Sequence, residues 1–201
     1  MTPTSLTFMA LSLPLLLMLP GCARSVDEYR DEQPALALDR FFNGQLVAYG
    51  MVQNFSGKVT RRFRADITAQ WQGEQGILDE RFVFSDGEQQ QRCWRLTKQG
   101  NHYRGTAEDI VGEARGEVQG NALNWRYTLQ VPVNGKVWDI ALDDWLYLID
   151  ENNLINRTKM KKWGLPVGEL TLHIRKLSDA ESAATAVSAT PDCVIEPAAE
   201  S

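Results

Sequence analysis

The stretch DDWLYLIDENNLINR, Asp143 to Arg157, places two carboxylates side by side in an otherwise apolar run. If Trp138 to Ile149 is one continuous strand, its side chains alternate between two faces. Asp144 then shares a face with Trp138, Ile140, Leu142, Leu146 and Leu148, and Asp143 shares the other with Trp145 and Tyr147. A bulge would shift this pattern, but one of the two acids still points inward. A lone buried carboxylate is very costly and needs a partner. Glu80, on a face with Leu78, Phe82 and Phe84, is a second acid of this kind. Three cations are candidates to meet them: Arg61, Arg92 beside Trp94 and Leu96, and Arg157. The expectation is a polar network of Asp144, Glu80, Arg61, Arg92 and Arg157 inside the fold. Such a network either receives the polar head of a ligand, with Trp125 and Tyr127 among the aromatic walls, or only fixes strand register.

Catalytic chemistry finds little support. The chain has two histidines, His102 beside a turn and His173 on a polar strand face. No His/Cys cluster has metal-ligand spacing, and no G-x-S-x-G nucleophile elbow occurs. Asp79 and Glu80 are adjacent in a strand, so they point to opposite faces and cannot share acid–base work. No metal and no cofactor is implied.

The elements that must hold these residues are strands. Between Gly44 and Lys176 the hydrophobic period is two. Val59, Arg61, Phe63, Ala65, Ile67, Ala69 and Trp71 share one face, and Leu123, Trp125, Tyr127, Leu129 and Val131 another. One wet and one dry face marks antiparallel sheet. Turn signals such as Asp86-Gly87, Gly120-Asn121 and Asn134-Gly135 recur along the run. With a further turn near Glu108-Asp109 they divide it into about ten strands, and short connections make sequence neighbours sheet neighbours. A meander of that length closes or leaves long bare edges. The reading is an all-β, antiparallel up-and-down lipocalin-like barrel; a β-sandwich is the alternative. Pro34 to Phe42 reads as a short N-terminal helix that could plug one mouth. In VGEARGEVQG one face carries only Gly112, Ala114, Gly116 and Val118. Either large residues elsewhere fill the space, or the barrel is hollow there.

The ends of the chain differ in kind from this middle. Residues 1–21 carry no charge, and Phe8–Leu19 is an apolar run broken only by Ser12 and Pro14. That length suits a signal-peptide core rather than a membrane span. It ends in Leu19-Pro20-Gly21-Cys22, which resembles a bacterial lipobox. The resemblance implies cleavage before Cys22 and acylation of that residue, giving a durable membrane anchor. Ala23, not Asp, follows the cysteine, which by the same resemblance favours the outer membrane. Arg24 to Gln33 is a polar tether. The barrel domain is 34–177, and 178–201, rich in Ala, Ser, Glu and Pro, is expected to be largely disordered. Cys93 and Cys193 could pair in an oxidising periplasm, but a cysteine in a loose tail makes two separate thiols the default. The net charge is −5, and no basic cluster tracks a nucleic-acid backbone, so nucleic acid is not an expected partner.

The motifs FFNGQLVAYGMVQNFSGKVTRRF, LDERFVFSDGEQQQRCWRL, GTAEDIVGEARGE, GNALNWRY and DDWLYLIDENNLINRTKM together resemble a family of Gram-negative lipoproteins, domain of unknown function 3833. The resemblance runs from about Phe41 to Lys176. It implies a lipocalin-like lipoprotein and suits a lipid-linked role, and it brings no activity. Cys93 departs from the family pattern, which argues against a family-wide redox role. Three readings follow: an outer-membrane-anchored periplasmic lipoprotein whose barrel binds a lipid or amphipathic molecule, a structural or interaction lipoprotein with a filled barrel, and an enzyme of lipid modification.

Overall fold

The computed structural model describes residues 24–185 and 190–193. The expected cleavage site, Cys22 and the signal segment lie outside the described residues, as do 186–189 and 194–201 of the tail.

Alternation of apolar and polar side chains builds ten strands. They are β1 (Gly44–Asn54), β2 (Val59–Gln72), β3 (Gln75–Phe84), β4 (Gln89–Gln99), β5 (His102–Thr106), β6 (Ala114–Gln119), β7 (Ala122–Val133), β8 (Lys136–Asp150), β9 (Asn153–Lys162) and β10 (Leu165–Lys176). Each pairs antiparallel with its sequence neighbours, and β10 returns to β1, from Leu46 opposite Lys176 to Asn54 opposite Gly168. The sheet is therefore one closed barrel rather than two stacked layers. Closure leaves no strand edge to pair with another chain.

The inward face carries the main core, including Leu46, Ala48, Ala65, Ile67, Leu78, Trp94, Leu123, Leu146, Leu154 and Ile174. The space beside Ala114, Gly116 and Val118 is filled, not hollow. A Cβ on Gly116 would come 2.5 Å from the Trp125 ring, and one on Gly105 would come 2.8 Å from it. The indole of the neighbouring strand lies flat over the two glycines.

One end of the barrel is plugged. The helix there, α1 (Leu38–Phe41), is a single turn, shorter than the expected Pro34–Phe42. Its approach is extended because the Leu36 amide donates to the Gly120 carbonyl at 2.8 Å, a strand-like bond that the chain satisfies before it coils. The plugging role holds: Leu36, Leu38, Phe41 and Phe42 are all buried. The Trp71 indole N–H donates to the Phe42 carbonyl at 2.9 Å, and Lys98 pairs with Asp39 at 2.9 Å.

The described residues of both flanking segments are attached to the barrel. Residues 24–33, expected as a plain tether, lie on the outer wall. Val26–Tyr29 forms a 3-10 turn capped by Ser25 and Glu28. Tyr29 packs against Trp145 and Tyr147, with centroids at 5.9 and 5.5 Å, and Arg24 donates to the Tyr147 hydroxyl at 2.6 Å. The fit needs Gly120, where a Cβ would stand 1.7 Å from the Tyr29 carbonyl oxygen. In the tail, α2 (Asp179–Ala184) is capped by Ser178 and tied to β10 through Arg175 and Glu181. The expectation of two separate thiols is overturned by a Cys93–Cys193 disulfide, with Cα atoms 6.3 Å apart. The segment around it docks through polar groups, which apolar composition does not register. The Asp192 amide donates to Asp79 at 2.9 Å, and Arg81 bridges Asp79 and Asp192 at 3.0 and 2.6 Å. Asp79 is thereby 1% exposed although it faces away from the lumen.

Candidate functional site

The alternation that builds the strands decides which polar side chains enter the barrel. On β8 it sends Asp143 out and Asp144 in. Asp143 accepts from Asn124 at 2.7 Å and from Arg126 at 3.3 Å on the outer wall. Asp144 is 6% exposed inside. On β3 and β4, Glu80 and Arg92 stand opposite each other in register, both inward. On β7, Trp125 stands opposite Asp144 and Tyr127 follows one inward position on. On β9, Thr158 stands opposite Asp144, with Asn156 next to it on the same face. These side chains form a polar belt at mid-height in an apolar tube.

Arg92 is the belt's only cation. It donates twice to Asp109 from Nε and once from Nη2, at 2.7–3.0 Å, and its Nη1 lies 3.8 Å from Glu80. Burial works against its charge, but the Asp109 hydrogen bonds and the Glu80 carboxylate outweigh that and raise its pKa. Glu80 is pushed up to about 7, chiefly by burial, with Arg92 pulling it back and Asp109 and Asp144 adding to the rise. Asp144 is pushed up to about 6 by burial, against hydrogen bonding from Thr158, Tyr127 and Asn156. Burial, with Asp144 beside it, raises the Tyr127 phenol well above its ordinary value. One Arg92, already shared with Asp109, thus faces two further carboxyls. The Asp144 Oδ1 atom is buried and accepts no hydrogen bond. A buried acceptor left without a donor is costly.

The belt separates two spaces. Beneath it, toward the plug, is a cavity of about 120 Å³ lined by Leu78, Trp94, Trp125, Leu146, Leu172 and others. Above it is a vestibule of about 510 Å³ at the opposite, open end, lined by Val52, Phe84, Leu129, Val131, Leu142 and Met160 among others. Phe63, Phe82, Arg92, Tyr127 and Leu170 border both, so the two spaces adjoin at the belt. Trp94 stands edge-on to Trp125 and Tyr127, with centroids at 5.8 and 5.3 Å.

Of the five charged residues expected to meet, three do: Asp144, Glu80 and Arg92. Arg61 faces inward but belongs to the vestibule rim. There it pairs with Asp86 at 2.7 Å and with Glu88, and its guanidinium lies 3.6 Å from the Phe84 ring centroid. Arg157 is outside the barrel altogether. Its side chain is 64% exposed and pairs with Glu169 at 3.3 Å, because it stands opposite outward Trp145. Sequence reasoning missed Asp109, Asn156 and Thr158. The last two could have been found: in NLINRTKMKK the residues Arg157, Lys159 and Lys161 mark the wet face, which sends Asn156 and Thr158 inward with Leu154 and Met160.

Among solved structures, the fold is similar to a protein of unknown function from the DUF3598 family of Nostoc punctiforme, at 13% identity and a TM-score of 0.52. The likeness covers 73% of this chain and 51% of that one, so this chain spans about half its length. It is also similar to the S-type phycobiliprotein lyase CPES of Guillardia theta, at 10% identity and a TM-score of 0.51, over 72% of this chain and 95% of that one. At these identities the likeness speaks for the lipocalin-like barrel alone. No curated protein matches the sequence. Residues 16–176 match a family model described as a protein of unknown function, DUF3833.

Proposed function

We propose, for a chain that belongs to the DUF3833 family and takes no activity from that membership, a role as a carrier of an amphipathic molecule. The ligand's polar head sits at the belt of Asp144, Glu80, Arg92 and Tyr127, and its apolar part fills the vestibule. The observation that carries this reading is the buried, unpartnered Oδ1 of Asp144, a residue that lines an inner cavity adjoining an open vestibule. It calls for a head that donates a hydrogen bond, such as a hydroxyl or an amine. A small-molecule site commonly measures ~300–1,000 Å³. The vestibule at about 510 Å³ is in that range and the inner cavity at about 120 Å³ is not, so the bulk of the ligand stays above the belt. That the neighbouring Guillardia theta structure is a phycobiliprotein lyase is compatible with a small-molecule role for this barrel architecture.

The lipobox-like ending at Cys22 and the following Ala23 support the further reading of a lipid-anchored protein on the periplasmic face of the outer membrane. Native mass spectrometry of the full chain released from detergent tests the carrier role. A co-purifying amphipathic molecule is expected, and Asp144→Leu, which removes the acceptor, should lose it while keeping the fold. A protein that flies bare, with and without Asp144→Leu, would point instead to a filled barrel that acts through its surface.

A further inference from the structure

We infer that three adjacent hairpin tips beside the open mouth form a surface that docks on a lipid bilayer, with Phe55, Trp163 and Leu165 at headgroup level. The tips are the β1–β2, β9–β10 and β7–β8 turns. They are neighbours around the barrel because β10 pairs with β1 and β8 with β9. Between them they hold most of the large apolar side chains that the described residues leave exposed: Trp163 at 86%, Phe55 at 81%, Leu165 at 67% and Val137 at 64%, with Val59, Val133 and Val167. Exposed apolar groups gathered in this way, rather than scattered singly, mark an interaction site.

Charge selects the bilayer as the occupant. The same arc carries Lys58, Lys136, Lys161 and Lys162. Among the described residues the lysine salt bridge is Lys98–Asp39, at the plugged end, so none of these four is paired with an acid, and Lys162 lies instead over the Trp138 ring and 4.6 Å from the Trp163 ring centroid. The acids of the rim lie on the other arc: Asp86 and Glu88 held by Arg61, Asp109 by Arg92, and Glu108 by Arg95. The nearest acids on the lysine arc, Asp139 and Glu169, sit further down the wall, and Glu169 is paired with Arg157. Aromatic and apolar tips ringed by lysines that no acid neutralises match an anionic headgroup layer over hydrocarbon. Three separate tips suit a fluid layer better than the flat face of a protein.

The backbone adds an independent argument. Both long hairpins of this arc turn on two residues with positive φ. Asn134-Gly135, at 52° and 75°, uses the residues that such a turn prefers. Trp163-Gly164, at 51° and 80°, puts a bulky side chain where L residues rarely go. The turn itself would favour Asn, so Trp163 serves something other than the turn; within the chain its ring meets only the edge of Trp138, at 6.1 Å, and Lys162, among the described residues, and it stays 86% exposed. An indole, apolar with one polar N–H, is at home at the membrane interface.

Tryptophan emission in vesicles tests the docking. The full chain is reconstituted with phosphatidylethanolamine and anionic phosphatidylglycerol, with and without bromine near the acyl carbonyls. Trp163 is one of six tryptophans, so its signal is the difference between the chain and Trp163→Asn. Bromolipid is expected to quench most of that difference, and Phe55→Ser with Leu165→Ser to restore it. Trp163→Asn should melt at the same or a higher temperature. A difference signal blind to bromine would overturn the inference. So would one that follows protein concentration instead, which would make the tips a contact between copies. A lowered melting temperature would assign Trp163 to the fold and overturn it too. None of these readouts depends on what the lumen holds, so the docking and the carrier role fail separately.

Discussion

The two ends of the barrel are made from the same alternating strands and end oppositely. At one end, Leu36, Leu38, Phe41 and Phe42 fold back into the tube, and the Trp71 indole and Lys98 fasten that plug with a hydrogen bond and an ion pair. At the other end no described residue folds back. Phe84, Leu129 and Val131 line an open vestibule, and the rim carries paired acids on one arc and lysines without acid partners on the other. Apolar residues close one end, where the segment from Leu36 to Phe42 buries them, and line a mouth at the other that the described residues leave open. The polar belt lies between the two, where it is dry enough to shift the carboxyls and still borders the mouth.

If the plugged end carries stability and the open end carries binding, variants should separate the two. The largest effect is expected from Phe42→Ala. It removes a buried ring and leaves a cavity, at about 3–5 kcal/mol, and chemical denaturation should show it. A smaller loss would mean that the plug merely rests on the barrel. The belt comes next. Glu80 rises from 4.5 to about 7 and Asp144 from 3.8 to about 6 on folding. Both are therefore easier to ionise in the unfolded chain. Their effect on stability is greatest below pH 4 and is lost as pH climbs through the two shifted values, on the order of a few kcal/mol in all. The melting temperature should fall between about pH 4 and pH 7, and Glu80→Gln with Asp144→Asn should flatten the slope. A melting temperature that rises through this window would show the carboxyls to be stabilised as anions. Smallest is the rim. Arg61→Ala breaks pairs with half-exposed Asp86 and Glu88 and should cost roughly 1 kcal/mol or less. Ligand retention at the belt should persist, because Arg61 does not reach Asp144.

The barrel was legible in the sequence because closure follows from alternation plus short turns, and both are local properties. The belt was legible in part for the same reason. Parity along one strand places Asp144, Glu80 and Arg92 inward without knowledge of the neighbours. Arg157 fails that logic because its own strand was read by charge partnership rather than by parity, and the alternation of Arg157, Lys159 and Lys161 puts it outside. Asp109 was out of reach. It sits in the connection between β5 and β6, outside any alternating pattern, and a register bond from Gln130 to its carbonyl holds it beside Arg92. What attaches the described parts of the flanks was hidden for a different reason. Apolar content measures how much a segment can bury, and these segments attach through a tilted phenol–indole contact, a buried carboxylate and a covalent bond.

The bond between Cys93 and Cys193 has a bearing on how the cylinder comes apart. The polypeptide leaves the last strand at Lys176, is tied to the first by the Leu177 amide and to the third through Asp192, and is joined covalently to the fourth at Cys193. It acts as a hoop across the seam where the two ends of the sheet meet. Unzipping there, which ordinarily sets a meander's termini adrift, would leave this one stitched until a reductant reaches the sulfurs.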